Sequence, residues 1–438
     1  MFSRSNWEDK IVPALRNIAG CSQKCRLIVE MEERDPDAVT AVVTRYHGKI
    51  VREIELLSSM VIEVPCTALP QLAQLKQVKK IWNDPEVRAR GNMSSVQLRS
   101  LSGLGFGFTG KGVTVAVLDT GIAFHPDLVT PENRIAGWAD FVQQNTTPYD
   151  DHGHGTHMAG IIVGNGRSSR GRWAGLAPEA RLVGVKVLNH QGAGTLDTLV
   201  AGLEWCVRNQ ELYQIRLINL SCGSNITESR AWEALRRAMR AAWRKGILIC
   251  CAGSDWLSGL GSLPNGIMVA VGSSTPTEAD LLVPDVAVTS LRPLRGYRTF
   301  SGTSVATALV SGVAAQLLEQ WPRLKPEQLK RLLLKQAPDL GFLPGKTGTA
   351  VEPLRRHALP NLDNIVASGT AQNTMPMAPG NGALILINPF SLFLILILLV
   401  LSFTSPNPQT NPFLYFLILI LLIYSFEPRL ALLGGFLH

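Results

Sequence analysis

GVTVAVLDTG (112–121) is an apolar, valine-rich stretch with no charge until Asp119, and it stops in a turn-forming Thr-Gly. A short continuous apolar run bounded by turn residues reads as a strand buried on both faces, the kind a parallel sheet needs. Working outward, ARLVGVKVL (180–188), IRLINLSCG (215–223), GILICCAG (246–253) and NGIMVAVG (265–272) repeat that character. Between them lie helical patterns: HGTHMAGIIVG (154–164), LDTLVAGLEWCVRN (196–209), ESRAWEALRRAMRAAWRKG (228–246) and a long one from 303. Strands alternating with helices imply an α/β fold, a mostly parallel sheet with helices on both faces. In such sheets sites form at the carboxyl ends of strands. Asp119, Ser221 and Ser254 fall at predicted ends.

Upstream, residues 26–83 have a different rhythm. RLIVEME, KIVREIELL, SMVIEV and KKIWN read as strands, and PDAVTAVVTRYHG and TALPQLAQLKQV as helices. The order βαββαβ is the split arrangement of a ferredoxin-like α+β domain. Downstream, MPMAPGNGA marks a linker. Beyond it NPFSLFLILILLVLSF (388–403) and NPFLYFLILILLIYSF (411–426) form a charge-free repeat. A span takes about 20 apolar residues, so this tail predicts a helical hairpin that crosses or re-enters a membrane, or else a self-association segment. The chain thus divides into an N-terminal segment 1–20, a small domain 21–90, a main domain 91–356, a linker 357–382 and a hydrophobic tail 383–438.

The 438 residues are 46% apolar and 17% charged, as expected of a globular chain with a sizeable core. Arg237, Arg240 and Arg244 carry part of the net charge of +8 at helical spacing. That pattern fits a solvated helix face, with anionic lipid the sharper alternative, and no motif supports nucleic-acid binding. The first twenty residues carry charges where a signal peptide is apolar, which points away from classical secretion. Seven cysteines without close metal-type spacing suggest reduced thiols in a cytoplasmic-type compartment. The catalytic domain is accordingly expected on the cytoplasmic side, attached to a membrane by the tail.

DDHGHGTHMAG (150–160) clusters His152, His154 and His157. Such a cluster can hold a metal or supply a base. A metal reading wants a glutamate between the histidines, as in H-E-x-x-H, and His154-Gly-Thr-His157 has none. Ser304 lies in FSGTSVATALVSG, a small-residue turn entering a helix, where the helix dipole favours developing negative charge. Alone, Asp119 could be a turn residue and Ser304 a helix cap. Together, Asp119, His154 and Ser304 supply acid, base and nucleophile in the chain order Asp-His-Ser.

AVLDTGI, HGHGTHMAG and SGTSVATALVSG resemble the three active-site segments of the subtilisin-like serine proteases, the subtilases of peptidase family S8. The likeness extends through GLAPEARLVGVKVL and NLSCGS over roughly 100–340, in the style of the intracellular, AprX-like branch. It implies a serine endopeptidase in which Asp119 orients His154, and His154 takes the proton of Ser304. It implies that Ser221, Cys222 and Gly223 bind extended peptide substrate, and that the βαββαβ domain is an inhibitor-type propeptide removed by self-cleavage near EVRARGNMSS (86–95). Three departures stand out. CCAGSDW puts Ser254 where the family has an oxyanion-binding asparagine, and a missing donor of that kind costs about 10²–10³ in turnover. Ala308 replaces the usual proline after the nucleophile, and the region after Ser254 is short, although Asp255 there could favour a basic substrate residue. No cofactor is expected. Asp127 matches one calcium-ligand position of some members, but GNGRSSRGRWAG (164–175) is basic, and one carboxylate is not a calcium site. The alternatives to an active protease are a peptide-gripping pseudoprotease and a membrane scaffold.

Overall fold

The computed structural model describes residues 8–344 apart from 20, 33–34, 90–96, 99–100, 102–103, 224–228, 254–265 and 272–278. The expectations for Ser254, Asp255, the linker 357–382 and the tail 383–438 therefore lie outside the described residues. Among the described residues no helix is long and apolar enough to cross a membrane.

The N-terminal region builds β1 (Lys24–Met31), α1 (Pro36–Arg45), β2 (Lys49–Ile54), β3 (Ser59–Pro65), α2 (Leu69–Gln74) and β4 (Val78–Asn83). The sheet order is β2-β3-β1-β4 with every neighbouring pair antiparallel. β1 and β2 therefore run the same way with β3 between them, the split βαβ of a ferredoxin-like domain. Local chemistry sets the helix start: the Asp35 carboxylate accepts the Asp37 N–H, and Pro36 occupies a first-turn position where no N–H is needed. A short strand β5 (Glu86–Ala89) follows.

The larger region contributes β6 (Thr114–Asp119), β7 (Ile135–Asp140), α3 (His154–Val163), β8 (Arg181–Lys186), β9 (Ala193–Thr195), α4 (Leu196–Arg208), β10 (Ile215–Leu220), β11 (Cys222–Gly223), α5 (Ser229–Arg244), β12 (Leu248–Ala252), β13 (Ile267–Val271), β14 (Leu281–Val283), α6 (Thr303–Gln320) and β15 (Leu343–Pro344). Its eight-stranded sheet runs β15-β14-β13-β12-β10-β6-β8-β7, parallel except for the β14–β15 pair. Within β6, Val115 and Val117 pack with Met158 and Ile162 of α3 and Val305 and Leu309 of α6. Ala116 and Leu118 face the other way, towards Leu199 and Leu203 of α4 and Leu235 and Met239 of α5. Both faces are covered, which is why the strand is apolar without alternation. Each such valine or leucine contributes about 1.5–3 kcal/mol by leaving water. From β6 the chain fills β8 and β7 on one side before crossing to β10 on the other, so the order reverses between β6 and β10. In such sheets the switch point, outside the carboxyl ends, is where sites form.

The small sheet and the large region share a hydrophobic cluster that includes Ile28, Trp82, Leu199 and Trp232. Arg26 bridges the two: its Nε is 2.9 Å from Asp84 and its Nη2 3.0 Å from Asp197 of α4. Arg52 adds a contact of 3.3 Å to Asp197, and Asp84 accepts the Asp197 N–H at 3.0 Å. Burial and the neighbouring Asp197 push the Asp84 carboxyl up to about 8.

One expectation needs correction here. Cys25 is joined to Cys66 in a disulfide with a Cα–Cα separation of 5.7 Å, which suits such a bond. The β1–β3 register sets Cys25 opposite Val64, two residues before Cys66, so pairing comes from tertiary register and not from the Cys21–Cys25 spacing. Among the described residues Cys21, Cys206, Cys222, Cys250 and Cys251 form no disulfide. Arg237, Arg240 and Arg244 are all exposed, as expected of a solvated face, and Arg237 in addition donates to the Leu56 carbonyl at 3.2 Å and lies 3.6 Å from the buried Glu30 carboxylate.

Candidate active site

Asp119 is the last residue of β6, fully buried, and His154 is the first residue of α3. His154 Nδ1 lies 2.8 and 2.9 Å from the two Asp119 carboxylate oxygens. Glycine makes this approach possible. A Cβ on Gly155 would stand 2.1 Å from the Gly121 carbonyl oxygen and 3.1 Å from the Asp119 Cβ, so only a bare backbone fits between strand end and helix start.

Ser304 stands in the first turn of α6 and is fully buried. β10 pairs with β6 through Leu220↔Leu118, so Ser221, the next residue, stands beside the Asp119 strand end. Ser304 Oγ donates to the Ser221 carbonyl at 2.9 Å, and Ser221 Oγ donates back to the Ser304 carbonyl at 3.2 Å. Asn219 locks this exchange: its amide donates to Ser221 Oγ at 2.9 Å and its carbonyl accepts Ser311 Oγ at 3.0 Å. Ser311 is two helical turns beyond Ser304, on the same face of α6. The fold thus gathers Asp119, His154, Ser221 and Ser304 at one rim.

Cys222 and Gly223 form β11, a short strand beside this rim. Burial, with the Asp119 charge adding, holds the Cys222 thiol well above its ordinary range. β5 lies between β9 and β11, antiparallel to both, with Ala89 opposite Cys222 and Arg88 opposite Gly223 and Ala193. The Ala89 N–H donates to the Gly192 carbonyl at 2.7 Å, and Val87 is fully buried. The protein's own residues 86–89 lie there as an extended peptide.

Of the three histidines, His154 makes the hydrogen bonds to the Asp119 carboxylate, while His152 feels only its charge. His157 is sealed, its Nε2–H donating to the Arg298 carbonyl at 3.0 Å. His152 is half-buried, and burial together with nearby His154 lowers its pKa. Asp127 is held by two hydrogen bonds, its oxygens accepting the Ser168 N–H and the Tyr297 hydroxyl, each at 2.7 Å. Among the described residues no group of three or more His, Cys, Asp or Glu side chains could hold a metal.

Sequence reasoning missed Asp150, Lys186 and Asn219. The buried Lys186 ammonium donates to the Thr120 carbonyl, to Asp151 at 2.7 Å and to the Leu188 carbonyl at 2.9 Å, pinning the turn after Asp119. Its signal was a lone cation inside the otherwise apolar VGVKVL.

A family profile described as the subtilase family, Peptidase_S8, matches residues 110–264 and 267–351. The serine protease AprX of Bacillus subtilis is 34% identical over 366 residues, covering 71% of this chain and 82% of that protein. The thermostable alkaline protease of Halalkalibacterium halodurans is 31% identical over 350 residues, 75% of this chain and 91% of its own. Among solved structures, fervidolysin of Fervidobacterium pennivorans, a keratinolytic enzyme related to subtilisin, superposes with a TM-score of 0.56 at 20% identity. That match covers 74% of this chain and 58% of fervidolysin, a likeness of fold alone.

Proposed function

This chain belongs to the subtilase family and is a serine-type endopeptidase, and from that premise we propose that Asp119, His154 and Ser304 are its catalytic triad. The observation that carries the proposal is the pair of contacts, 2.8 and 2.9 Å, between His154 Nδ1 and the Asp119 oxygens. A carboxylate only accepts, so Nδ1 carries the hydrogen and Nε2 is left as the base. Ser304 Oγ attacks the scissile carbonyl while His154 takes its proton. His154 then returns that proton to the leaving amine, and water repeats the sequence on the acyl-enzyme. Asp119 stabilises the imidazolium through both transfers. Ser304 sits in the first turn of α6, where the helix dipole favours developing negative charge, so its own N–H is proposed as one oxyanion donor and Ser254 as the second.

We propose further that the substrate lies extended between β9 and β11, gripped by Ser221, Cys222 and Gly223, and that the ferredoxin-like domain is a propeptide that inhibits the cleft until cut away. The antiparallel pairing of Glu86–Ala89 with both strands supports this. The cut then falls beyond Ala89. A fluorophosphonate probe should label Ser304, and mass spectrometry should find a new N-terminus within 90–96. Ser304→Ala should abolish labelling, leave the precursor whole and cost about 10⁶ in turnover. A wild-type chain that stays full-length and unlabelled overturns the triad. The charge-free repeats support membrane attachment through 383–438. Deleting them should move the protein to the soluble fraction, and a full-length chain already soluble would refute attachment.

A further inference from the structure

Asp150 is an acid that the triad does not use, and it is buried beside it. Its Oδ1 accepts the Thr120 hydroxyl at 2.9 Å, the His152 N–H at 3.1 Å and the Gly153 N–H at 2.6 Å. Its Oδ2 accepts the Thr156 N–H at 2.9 Å and the Thr156 hydroxyl at 2.7 Å. The donors come from two places: the turn after Asp119, and the loop and first turn that carry His154. Thr120 completes the connection. Its hydroxyl accepts the Gly155 N–H at 2.9 Å, and its own N–H donates to Asp119 Oδ1 at 2.7 Å. A backbone bridge from Gly121 to Asp150 runs alongside. The neighbouring Asp151 pulls on the same turn from behind, through Lys186 and the Thr120 carbonyl.

We infer that Asp150 is a positioning residue for the proteolytic reaction, setting the distance and angle at which Asp119 meets His154, with Thr120 as the link. This rests on the reading of His154 as the base. A five-donor environment needs a group that only accepts, so a carboxylate fits where an amide would turn its NH₂ on one set of donors. Held less firmly, Asp119 stabilises the imidazolium less, and His154 should protonate at lower pH than in the native protein.

The test uses the full chain and reads the rate of fluorophosphonate labelling at Ser304 against pH. Asp150→Asn and Thr120→Val should each slow labelling, the former by about 100-fold, as misplacement of reacting groups does. Each should also move the acid limb of the profile to lower pH, whereas partial unfolding would lower the whole profile without moving its limb. Thr120→Ser, which keeps the hydroxyl, should restore both. Folded variants with native rates and an unmoved limb overturn the inference, and if Asp150→Asn does not fold, Thr120→Val decides by the same criterion. A native chain that does not label refutes the triad instead, so the two failures are distinguishable.

Discussion

His157 sits on the same helix as His154 and has the opposite task. Burial drives its pKa down to about 3, so the folded protein keeps the ring neutral, whereas the unfolded chain protonates it near the ordinary 6.5. Between those values the unfolded state binds the extra proton, and stability falls as pH drops, by roughly 1.4 kcal/mol per unit. In a Ser304→Ala background, which prevents self-digestion, urea unfolding at pH 7 and pH 4.5 should show this loss. Replacing His157 with glutamine should make the acid loss shallower, and an unchanged slope would show that other groups cause it. At this scale the sequence was readable where chemistry and local pattern coincide: a carboxylate at the end of an apolar run, histidine amid glycines, serine at a helix start. Asp150 was not, although two consecutive acids before HGHGTH were visible. Its role depends on Thr120, thirty residues away and brought close only by the fold.

The elements were largely legible because burial leaves a plain signature. The βαββαβ order and the strands ending at Asp119, Lys186, Leu220 and Ala252 follow from apolar runs punctuated by glycine. The long helix at Thr303–Gln320 was expected from its start alone. What escaped were pieces without a long apolar run: β7, the three-residue β9 and β14, the break that makes β11 a strand apart from β10, and the antiparallel β15 at the sheet edge. Their pairing is decided by partners. β5 is a strand only because β9 and β11 lie on either side of it. The Cys25–Cys66 bond belongs with these, since 41 residues separate its ends and only the β1–β3 register brings them near.

At the largest scale, the small domain is tied to the large one by an apolar cluster and by the half-buried Arg26 and Arg52 on the buried Asp84 and Asp197 carboxyls. Removing the arginines would leave the Asp197 carboxylate desolvated and unpaired, which costs about 3–5 kcal/mol. β5 continues directly from the last strand of that domain into the rim where Ser304 stands. On the proposed reading, knife and first loaf come in one package. The opening cut is then a first-order event whose half-time ignores dilution, unlike an encounter between separate molecules. Time courses over a hundredfold range of concentration should superimpose. Curves that quicken with concentration would mean that neighbours open one another.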